Sequence, residues 1–350
     1  MLEKECDGLA IVPGPNLFHL TGAEFHISER PVVLFVTTER LIFVLPELEL
    51  PKIAALDVEV FSYDDHGGTK SAFEALSESF SCTKLGVESR IIRYLELDLI
   101  TTNSISEKIR DATDIFAEMR MRKSEHEIEY MREAVKIAEK SLTSVLHKMK
   151  VGITERQFAS ELVVELLKRG SEAHLPFSPI VASGLNAANP HHFASDKEFR
   201  ENELVIVDWG ANFRGYYSDI TRTFAIGNNL NSRLISAHEA VKEANRIGRE
   251  TARLGVEAGL VDLKTRRVIE DSGFAEFFTH RTGHGLGLEI HEEPYISPNN
   301  QFVLDEGMTF TIEPGIYLPN LGGIRIEDDV YLNKSGLESL TTLPRELIVI

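Results

Sequence analysis

Residues 204–224 read LVIVDWGANFRGYYSDITRTF, and this stretch places two aspartates at the ends of two predicted strands. A four-residue apolar run ends at Asp208, and Asp219 directly precedes the second strand-like run. Because residues 212–215 between them are typical of a turn, the stretch predicts a β-hairpin that brings the two carboxylates together. A single aspartate at a strand end usually just accepts backbone hydrogen bonds, which is the alternative interpretation of each one.

A second pair of acids follows in residues 309–315, TFTIEPG, and 323–330, GIRIEDDV. Each segment places a glutamate, Glu313 or Glu327, within or after an apolar strand-like run, and a Pro/Gly turn region lies between the segments. The run of three acids that starts at Glu327 is also typical of a solvated turn. Four acids in two hairpin-like pairs nevertheless favour one shared site.

The glycine-rich segment 282–291, TGHGLGLEIH, contributes His284 and His291. Its glycines form GxGxG instead of the dinucleotide-binding GxGxxG, and no P-loop lysine follows. The sequence HEEPY is not the zinc motif HExxH, because Tyr295 replaces the second histidine. A flexible loop that carries a surface histidine is the structural alternative for this segment.

Four converging carboxylates repel one another strongly, so either their pKa values rise or cations neutralise them. Their combined charge matches that of two divalent ions. One imidazole among oxygen ligands favours Mn²⁺ or Co²⁺, with Zn²⁺ as an alternative. Such a pair of ions acidifies a bound water, so the set of residues predicts hydrolytic chemistry.

The length of 350 residues exceeds what one hydrophobic core usually organises and predicts two domains. The first third reads as a small mixed α/β domain, with a hairpin formed by residues 31–36 and 40–45 and a strand at 94–100. Capping boxes at Ser124 and Thr154 then predict the starts of two long helices. We expect further helices at 234–247 and 260–269 and further strands at 204–208, 221–226, 308–312 and 323–330.

Composition excludes several classes of partner. Lys and Arg total 37 and Asp and Glu total 55, so the formal net charge is −18, which disfavours nucleic acid and acidic membranes. The two cysteines, Cys6 and Cys82, form no CxxC pair, which argues against a disulfide scaffold and fits a reducing compartment. Neither a signal peptide nor an apolar run of about 20 residues is evident, so we expect a cytoplasmic protein.

The motifs VDWGA, SDITRTF, GHGLGLEIHE, IEPGIY and IRIED together resemble the pita-bread metallopeptidases, which include methionine aminopeptidase, aminopeptidase P and prolidase. The additional N-terminal domain is similar to that of the Xaa-Pro branch. The resemblance implies a creatinase-type N-terminal α/β domain over residues 1–115 and an α+β pita-bread (creatinase/aminopeptidase) catalytic domain over 116–350.

The resemblance also implies roles for individual residues. Asp208 would bind one metal ion, His284 and Glu313 the other, and Asp219 and Glu327 would bridge the two. Glu313 would also shuttle a proton. The implied catalytic and substrate-binding positions are His191, preferred to His192 because it directly follows Pro190, together with His291, His280, Tyr317 and Arg325.

One position departs from the family pattern. Archaeal-type prolidases carry an arginine near the position of Tyr295 that anchors the free carboxylate of a dipeptide. Tyr295 supplies no such charge, so either Arg325 or another cation takes this role, or the enzyme prefers longer Xaa-Pro-Yaa peptides.

We therefore expect a dinuclear metallopeptidase that cleaves the bond before proline in short peptides. Xaa-Pro dipeptidase is the first hypothesis, and Xaa-Pro aminopeptidase is the alternative. The family resemblance implies a homodimer. A metal-free creatinase-like enzyme and a non-catalytic protein-binding module are further alternatives, which the five intact ligand positions disfavour.

Overall fold

The computed structural model describes residues 6–350 and divides into two compact units, Met1–Arg120 and Met121–Ile350. The predicted boundary between residues 115 and 116 falls inside a helix, Thr113–Met121, and stays a prediction. Within residues 6–350, no helix combines the length and the apolar character needed to cross a bilayer.

The first unit is built on one mixed sheet of six strands. In chain order its elements are β1 Gly8–Ile11, α1 Pro15–Thr21, β2 Val33–Val36, β3 Leu41–Pro46, β4 Glu59–Tyr63, α2 Gly68–Ser77, β5 Cys82–Val87, α3 Tyr94–Thr102, β6 Ser106–Asp111 and α4 Thr113–Met121. The strand order is β4-β3-β2-β1-β5-β6. β2 and β3 pair antiparallel, with Val36 opposite Leu41, which confirms the predicted hairpin. The mixed α/β class predicted for this part of the chain is confirmed.

The predicted strand at residues 94–100 is wrong, because these residues belong to helix α3. The apolar character of these residues suggested a short strand, but the local hydrogen bonds favour a helix start. Glu96 accepts the backbone N–H of Arg93 at 3.0 Å, and its buried carboxylate also accepts from the Arg93 guanidinium. These contacts of Glu96 thus favour a helix start over the predicted strand.

The second unit contains four long helices and four small sheets. Its elements are α5 Glu125–Val145, α6 Glu155–Lys168, β7 Ile180–Ser183, β8 Glu203–Trp209, β9 Asn212–Phe213, β10 Tyr216–Tyr217, β11 Ile220–Ile226, α7 Ser232–Thr251, α8 Ala258–Asp271, β12 Gly283–Gly285, β13 Glu292–Ile296, β14 Thr309–Ile312, β15 Gly315–Leu318, β16 Gly322–Arg325, β17 Asp328–Asn333, β18 Gly336–Ser339 and β19 Ile348–Val349. Capping boxes at Ser124 and Thr154 start α5 and α6, as predicted.

Two sheets of the second unit carry the predicted acids. One has the order β19-β11-β8-β7 and the other β13-β12-β14-β17-β18. The buried side chains of Leu204, Val241, Ile316 and Ile324 belong to one apolar cluster, which packs helix α7 against the strands. Trp209 is fully buried and donates its indole N–H to the carbonyl oxygen of Ala138 in α5 at 2.9 Å. Packing on both faces therefore fixes the strands that bear acids.

The single strand predicted at residues 323–330 is divided in the structure. β16 ends at Arg325 and β17 begins at Asp328, so the chain leaves one hairpin and enters another sheet at Ile326–Glu327. Glu327 itself forms an isolated antiparallel bridge to Thr221. The break thus places Glu327 between the two sheets.

Candidate metal centre

Strand pairing brings the four predicted acids to one place. β8 and β11 pair antiparallel with Asp208 opposite Thr221, so Asp219, two residues before Thr221, lies at the same end of the pair. Glu313 follows β14, and its N–H donates to the carbonyl oxygen of Thr282 at 2.7 Å, beside β12. Glu327 forms an isolated antiparallel β-bridge with Thr221 and so lies beside the same end of this strand pair. The predicted hairpin and the predicted second pair of acids thus face each other.

His284 lies in the middle of β12 and faces these acids. Its Nε2 atom is 3.6 Å from Asp219 Oδ2 and 3.4 Å from Glu313 Oε1. Possible ligand atoms of Asp219, His284 and Glu327 all lie within 4.8 Å of one another. Asp219 is 5 % exposed and the other two are 2 % exposed, so solvent screens these charges little.

Burial and mutual repulsion shift the protonation of the acids. Burial raises the pKa of Asp219 well above its ordinary value, and the Glu327 and Asp208 charges raise it further. Burial and the Glu313 charge raise the pKa of Glu327 in the same way. Burial raises the pKa of Glu313 to about 7, against the opposing charge of Arg325. The cluster is therefore unfavourable as a set of ionised carboxylates without cations.

His284 is set up as a neutral ligand. Burial, with the His291 and Arg281 charges adding to it, lowers the pKa of His284 well below its ordinary value. Its Nδ1 lies 3.1 Å from the carbonyl oxygen of Gly285, which places the ring hydrogen on Nδ1 and leaves the Nε2 lone pair facing the acids.

The donor set fits divalent metal ions. Asp208 Oδ1 is buried and has no hydrogen-bond partner among residues 6–350, while the other oxygen of this carboxylate accepts from Arg325. An unsatisfied buried carboxylate oxygen is costly unless a cation or a donor meets it. Oxygen-rich sets with one imidazole suit hard and borderline divalent ions.

Arg325 orders the residues beside the acids. Its Nη2 donates to Asp208 Oδ2 at 2.6 Å, its Nη1 to the Tyr317 hydroxyl at 2.8 Å and its Nε to Thr221 Oγ1 at 3.1 Å. Thr221 Oγ1 in turn donates to Glu327 Oε2 at 2.7 Å. One guanidinium therefore links Asp208, Tyr317 and, through Thr221, Glu327.

Tyr317 also connects this network to His280. His280 Nε2 lies 2.9 Å from the Tyr317 hydroxyl, and its Nδ1 lies 2.7 Å from the carbonyl oxygen of Arg281. Burial and the Arg325 charge lower the pKa of His280 to about 4, and burial raises the pKa of Tyr317 to about 12. Both side chains are therefore neutral at pH 7, with the Tyr317 O–H donating to His280 Nε2.

The two adjacent histidines of the 189–192 segment have different surroundings. His192 Nε2 lies 2.8 Å from Oε2 of Glu155, a fully buried residue in the first turn of α6. His191 is exposed, and its charge acts on both His280 and His291. The His291 ring stands nearly perpendicular to that of His284, with 4.3 Å between the ring centroids. The structure thus brings His191 and His291 to the cluster and directs His192 away.

Sequence reasoning missed several residues that support the cluster. Asp329 is fully buried and accepts the backbone N–H of Asp219 at 3.0 Å, and Thr221 bonds to Glu327. Both lie two positions after a predicted ligand, and this spacing, which is the period of extended chain, could have identified them. Glu155 offers no comparable sequence signal, because only tertiary packing brings it to the 183–195 segment.

Comparison with known proteins defines the class. A model of metallopeptidase family M24 matches residues 129–334, and a model of the creatinase/prolidase N-terminal domain matches residues 1–122. The two-domain fold and the buried acidic cluster are accordingly those of a metallopeptidase. The chain belongs to metallopeptidase family M24.

Individual relatives are similar over nearly their whole length. The Xaa-Pro dipeptidase of Pyrococcus horikoshii is 35% identical over 99% of this chain and 96% of its own length. The crystal structure of a dipeptidase from Pyrococcus horikoshii OT3 superimposes with a TM-score of 0.93 at 38% identity, covering 100% of this chain and 98% of that one. The X-Pro aminopeptidase from Thermotoga maritima MSB8 gives a TM-score of 0.87 at 31% identity, covering 99% and 98%. The predicted family and fold class are confirmed.

Proposed function

We propose that this protein hydrolyses the peptide bond before proline in short peptides, with Xaa-Pro dipeptides as its principal substrates. The buried cluster of four acids around one neutral imidazole carries the proposal, because its charges demand divalent cations. The name of the Pyrococcus horikoshii relative supports the substrate class.

We propose the predicted ligands as the metal-holding residues. Asp208 would hold one ion, His284 and Glu313 the other, and Asp219 and Glu327 would be shared. Two bound divalent ions would supply Lewis acidity, which polarises a peptide carbonyl and acidifies water. Mn²⁺ or Co²⁺ is the first choice for this oxygen-rich set, and Zn²⁺ is the alternative.

The surrounding residues of the chain would bind and orient the substrate. Burial, with the Arg281 and His191 charges, lowers the pKa of His291, which favours the neutral ring, and its N–H would donate a hydrogen bond to the oxygen of the scissile carbonyl. His191 would be a second donor to the substrate. Glu313 would take up the proton of the attacking water and release it to the prolyl nitrogen.

Proline itself explains the need for such a site. A prolyl nitrogen carries no hydrogen, so peptidases that bind the N–H of the scissile bond cannot hold this substrate. Tyr317 and His280, both neutral and hydrogen-bonded to each other, would line the pocket beside the reacting bond.

The alternative function is that of an Xaa-Pro aminopeptidase acting on longer peptides, which the similarity to the Thermotoga maritima structure keeps open. The test is parallel hydrolysis of Ala-Pro and Ala-Pro-Ala by chelator-stripped protein reloaded with Mn²⁺. Preference for Ala-Pro supports the dipeptidase, and preference for Ala-Pro-Ala supports the aminopeptidase. If the protein hydrolyses neither peptide, the proposal that it cleaves before proline is refuted.

We further propose a cytoplasmic homodimer, with the domain boundary between residues 115 and 116. The free thiols of Cys6 and Cys82 are compatible with a reducing compartment. Light scattering on the eluting peak of a sizing column measures the mass in solution, and a monomer would contradict the dimer.

A further inference from the structure

A buried ion pair lies directly beside His291 in the chain. Lys123 precedes the N-cap residue of α5, and its Nζ atom donates to Glu292 Oε1 at 2.5 Å. The two side chains are 1% and 5% exposed, so the pair is shielded from solvent. Because Glu292 follows His291 and is the first residue of β13, the ion pair connects the start of a long helix to the strand after this histidine.

The backbone around the pair fixes both partners. The N–H of Lys123 donates to the carbonyl oxygen of Gly307 at 2.8 Å, just before β14. Glu292 lies opposite Gly285 in the β12–β13 pair, and Gly285 in turn lies opposite Phe310 in β14. Both ends of the ion pair are therefore connected to β14 or to the residues just before it.

The loop 286–291, which ends at His291, packs on this ion pair. A Cβ atom on Gly287 would lie 2.9 Å from both Glu292 Oε1 and Lys123 Cε, so the loop backbone lies directly against the two side chains. The N–H of Gly287 donates to the carbonyl oxygen two positions further along at 3.0 Å, which closes a turn within the loop. The ion pair thus supports the loop near its start and adjoins His291 at its end.

Stability alone explains this pair poorly. Two charges taken out of water lose their hydration, and their mutual attraction in the protein interior often does no more than offset that loss. An apolar pair of similar volume would often stabilise the fold equally well. Two buried charges in contact do, however, fix the chain segments that carry them, and one of these segments carries His291.

His291 is the residue whose position the pair controls. Its ring centroid lies 4.3 Å from that of His284, beside the acidic cluster. As the proposed donor to the scissile carbonyl, its N–H is effective only when it points at the oxygen on which negative charge develops. A displacement of about 1 Å in such a group can lower the rate by about a hundredfold.

We propose that Lys123 is a positioning residue for catalysis, and that its ion pair with Glu292 holds the loop 286–291 so that His291 points at the carbonyl oxygen of the scissile bond. The inference rests on the proposed function and adds a residue to it. Lys123 acts through Glu292 and not by contact with the substrate. Loss of the pair should therefore lower kcat more than it raises KM, because the contact that it aligns strengthens in the transition state.

The test removes both charges together in Lys123→Met/Glu292→Gln, so that neither is left buried without its partner. On Mn²⁺-loaded protein, kcat for the better substrate of Ala-Pro and Ala-Pro-Ala should fall by about tenfold to a hundredfold, while KM changes by less than about threefold. Metal content by mass spectrometry should match that of the wild type, since neither residue is a proposed ligand. Loss of metal together with activity would overturn the inference, because the pair would then act through the metal centre.

The same change in a His291→Ala background separates positioning from a general structural defect. Without the ring, Lys123→Met/Glu292→Gln should alter kcat by less than about twofold, because nothing remains for the pair to align. An equal fold loss in both backgrounds would overturn the inference and leave the proposed function standing. If the wild-type protein cleaves neither peptide, the proposed function is refuted and the inference with it.

Glu292→Asp is a second variant, whose folding does not depend on that of the first. It keeps both charges but shortens the side chain, and it should give a smaller loss of kcat that again disappears in the His291→Ala background. Lys136→Met is the matched control, because Lys136 lies on α5 with 53% of its side chain exposed, and kcat should stay unchanged.

Discussion

Asp219 is the residue on which the candidate centre depends most. Its backbone N–H is held by Asp329, while its carboxylate lies 3.6 Å from His284 Nε2 and is repelled by Glu327. It is therefore both fixed in position and electrostatically unfavourable until a cation is present. This combination is typical of a ligand position and not of a residue kept for stability.

We expect Asp219→Ala to reduce hydrolysis of Ala-Pro to below about 1% of the wild-type rate, because it removes a proposed shared ligand. Metal content measured by mass spectrometry after gel filtration should fall from two ions per chain. Asp305→Ala, at an exposed acid of the same unit, is the control and should keep both ions. Full metal content and activity in Asp219→Ala would contradict the dinuclear assignment.

Single residues also show how far the sequence could predict the centre. The four acids and His284 were identifiable because charged residues interrupt apolar strands or adjoin a glycine-rich segment. The choice of His191 over His192 rested on its position directly after Pro190 and stays a prediction, and His192 contacts Glu155 in the structure.

At the scale of elements, the first turn of α6 organises the segment that carries His191. Glu155 accepts hydrogen bonds from the backbone N–H groups of Ser183 and Ser195 and contacts His192. A buried carboxylate with several donors is costly to remove, since each donor loses its partner. The helix terminus therefore fixes residues 183–195.

We expect Glu155→Ala to lower the free energy of unfolding by about 3 kcal/mol and to reduce kcat, because the segment that carries His191 loses its anchor. Urea denaturation and steady-state kinetics measure the two effects. Glu161→Ala on the same helix removes an exposed carboxylate and should change stability by less than about 0.5 kcal/mol. Equal effects of both changes would show that Glu155 is not the anchor.

The close approach of β12 to β14 makes a second element-scale prediction. A Cβ atom on Gly283 would lie 1.9 Å from the carbonyl oxygen of Thr311, so Gly283→Ala must separate the strands that position His284. We expect a loss of about 3 kcal/mol or more in unfolding free energy and a weaker affinity for Mn²⁺ by calorimetry. Gly8→Ala, where the nearest atom is 3.4 Å away, is the tolerated control. Wild-type Mn²⁺ affinity in Gly283→Ala would disprove the geometric argument.

Element boundaries were predicted less well than the elements themselves. Helices α5 and α6 begin where their capping boxes lie, since capping is encoded within four residues. The strand predicted at residues 94–100 is a helix, and the single strand predicted at 323–330 is divided. In each case a contact made by one glutamate, Glu96 or Glu327, decides the local structure.

On the scale of the whole molecule, the charge cluster couples protonation to stability. Burial in the folded protein raises the pKa of Glu313 from 4.5 to about 7. The neutral carboxyl group therefore stabilises the folded state below about pH 4.5, and this contribution to the free energy of unfolding is lost as the pH rises toward 7. His280 acts in the opposite direction, because burial lowers its pKa to about 4 and its contribution is lost as the pH falls. A pH curve of the wild-type protein alone would mix both effects.

We therefore expect the difference between Glu313→Gln and the wild-type protein to reveal the carboxylate contribution. In chelator-treated protein, the melting temperature of the variant should rise relative to the wild type between pH 5 and about 7, since the variant cannot ionise there. Excess Mn²⁺ should reverse the order, because ions stabilise the wild-type carboxylates. A difference independent of pH would contradict the raised pKa of Glu313.

The proposed ligands come from two separate sheets, and this division has a kinetic consequence. Asp208 and Asp219 belong to the β8–β11 pair, whereas His284 and Glu313 adjoin β12 and β14, and Glu327 lies between the two groups. The contacts that join them span long stretches of chain and form slowly. During refolding, a metal-sensitive dye would consequently report only molecules in which both sheets have assembled, and uptake of ions would mark the end of folding.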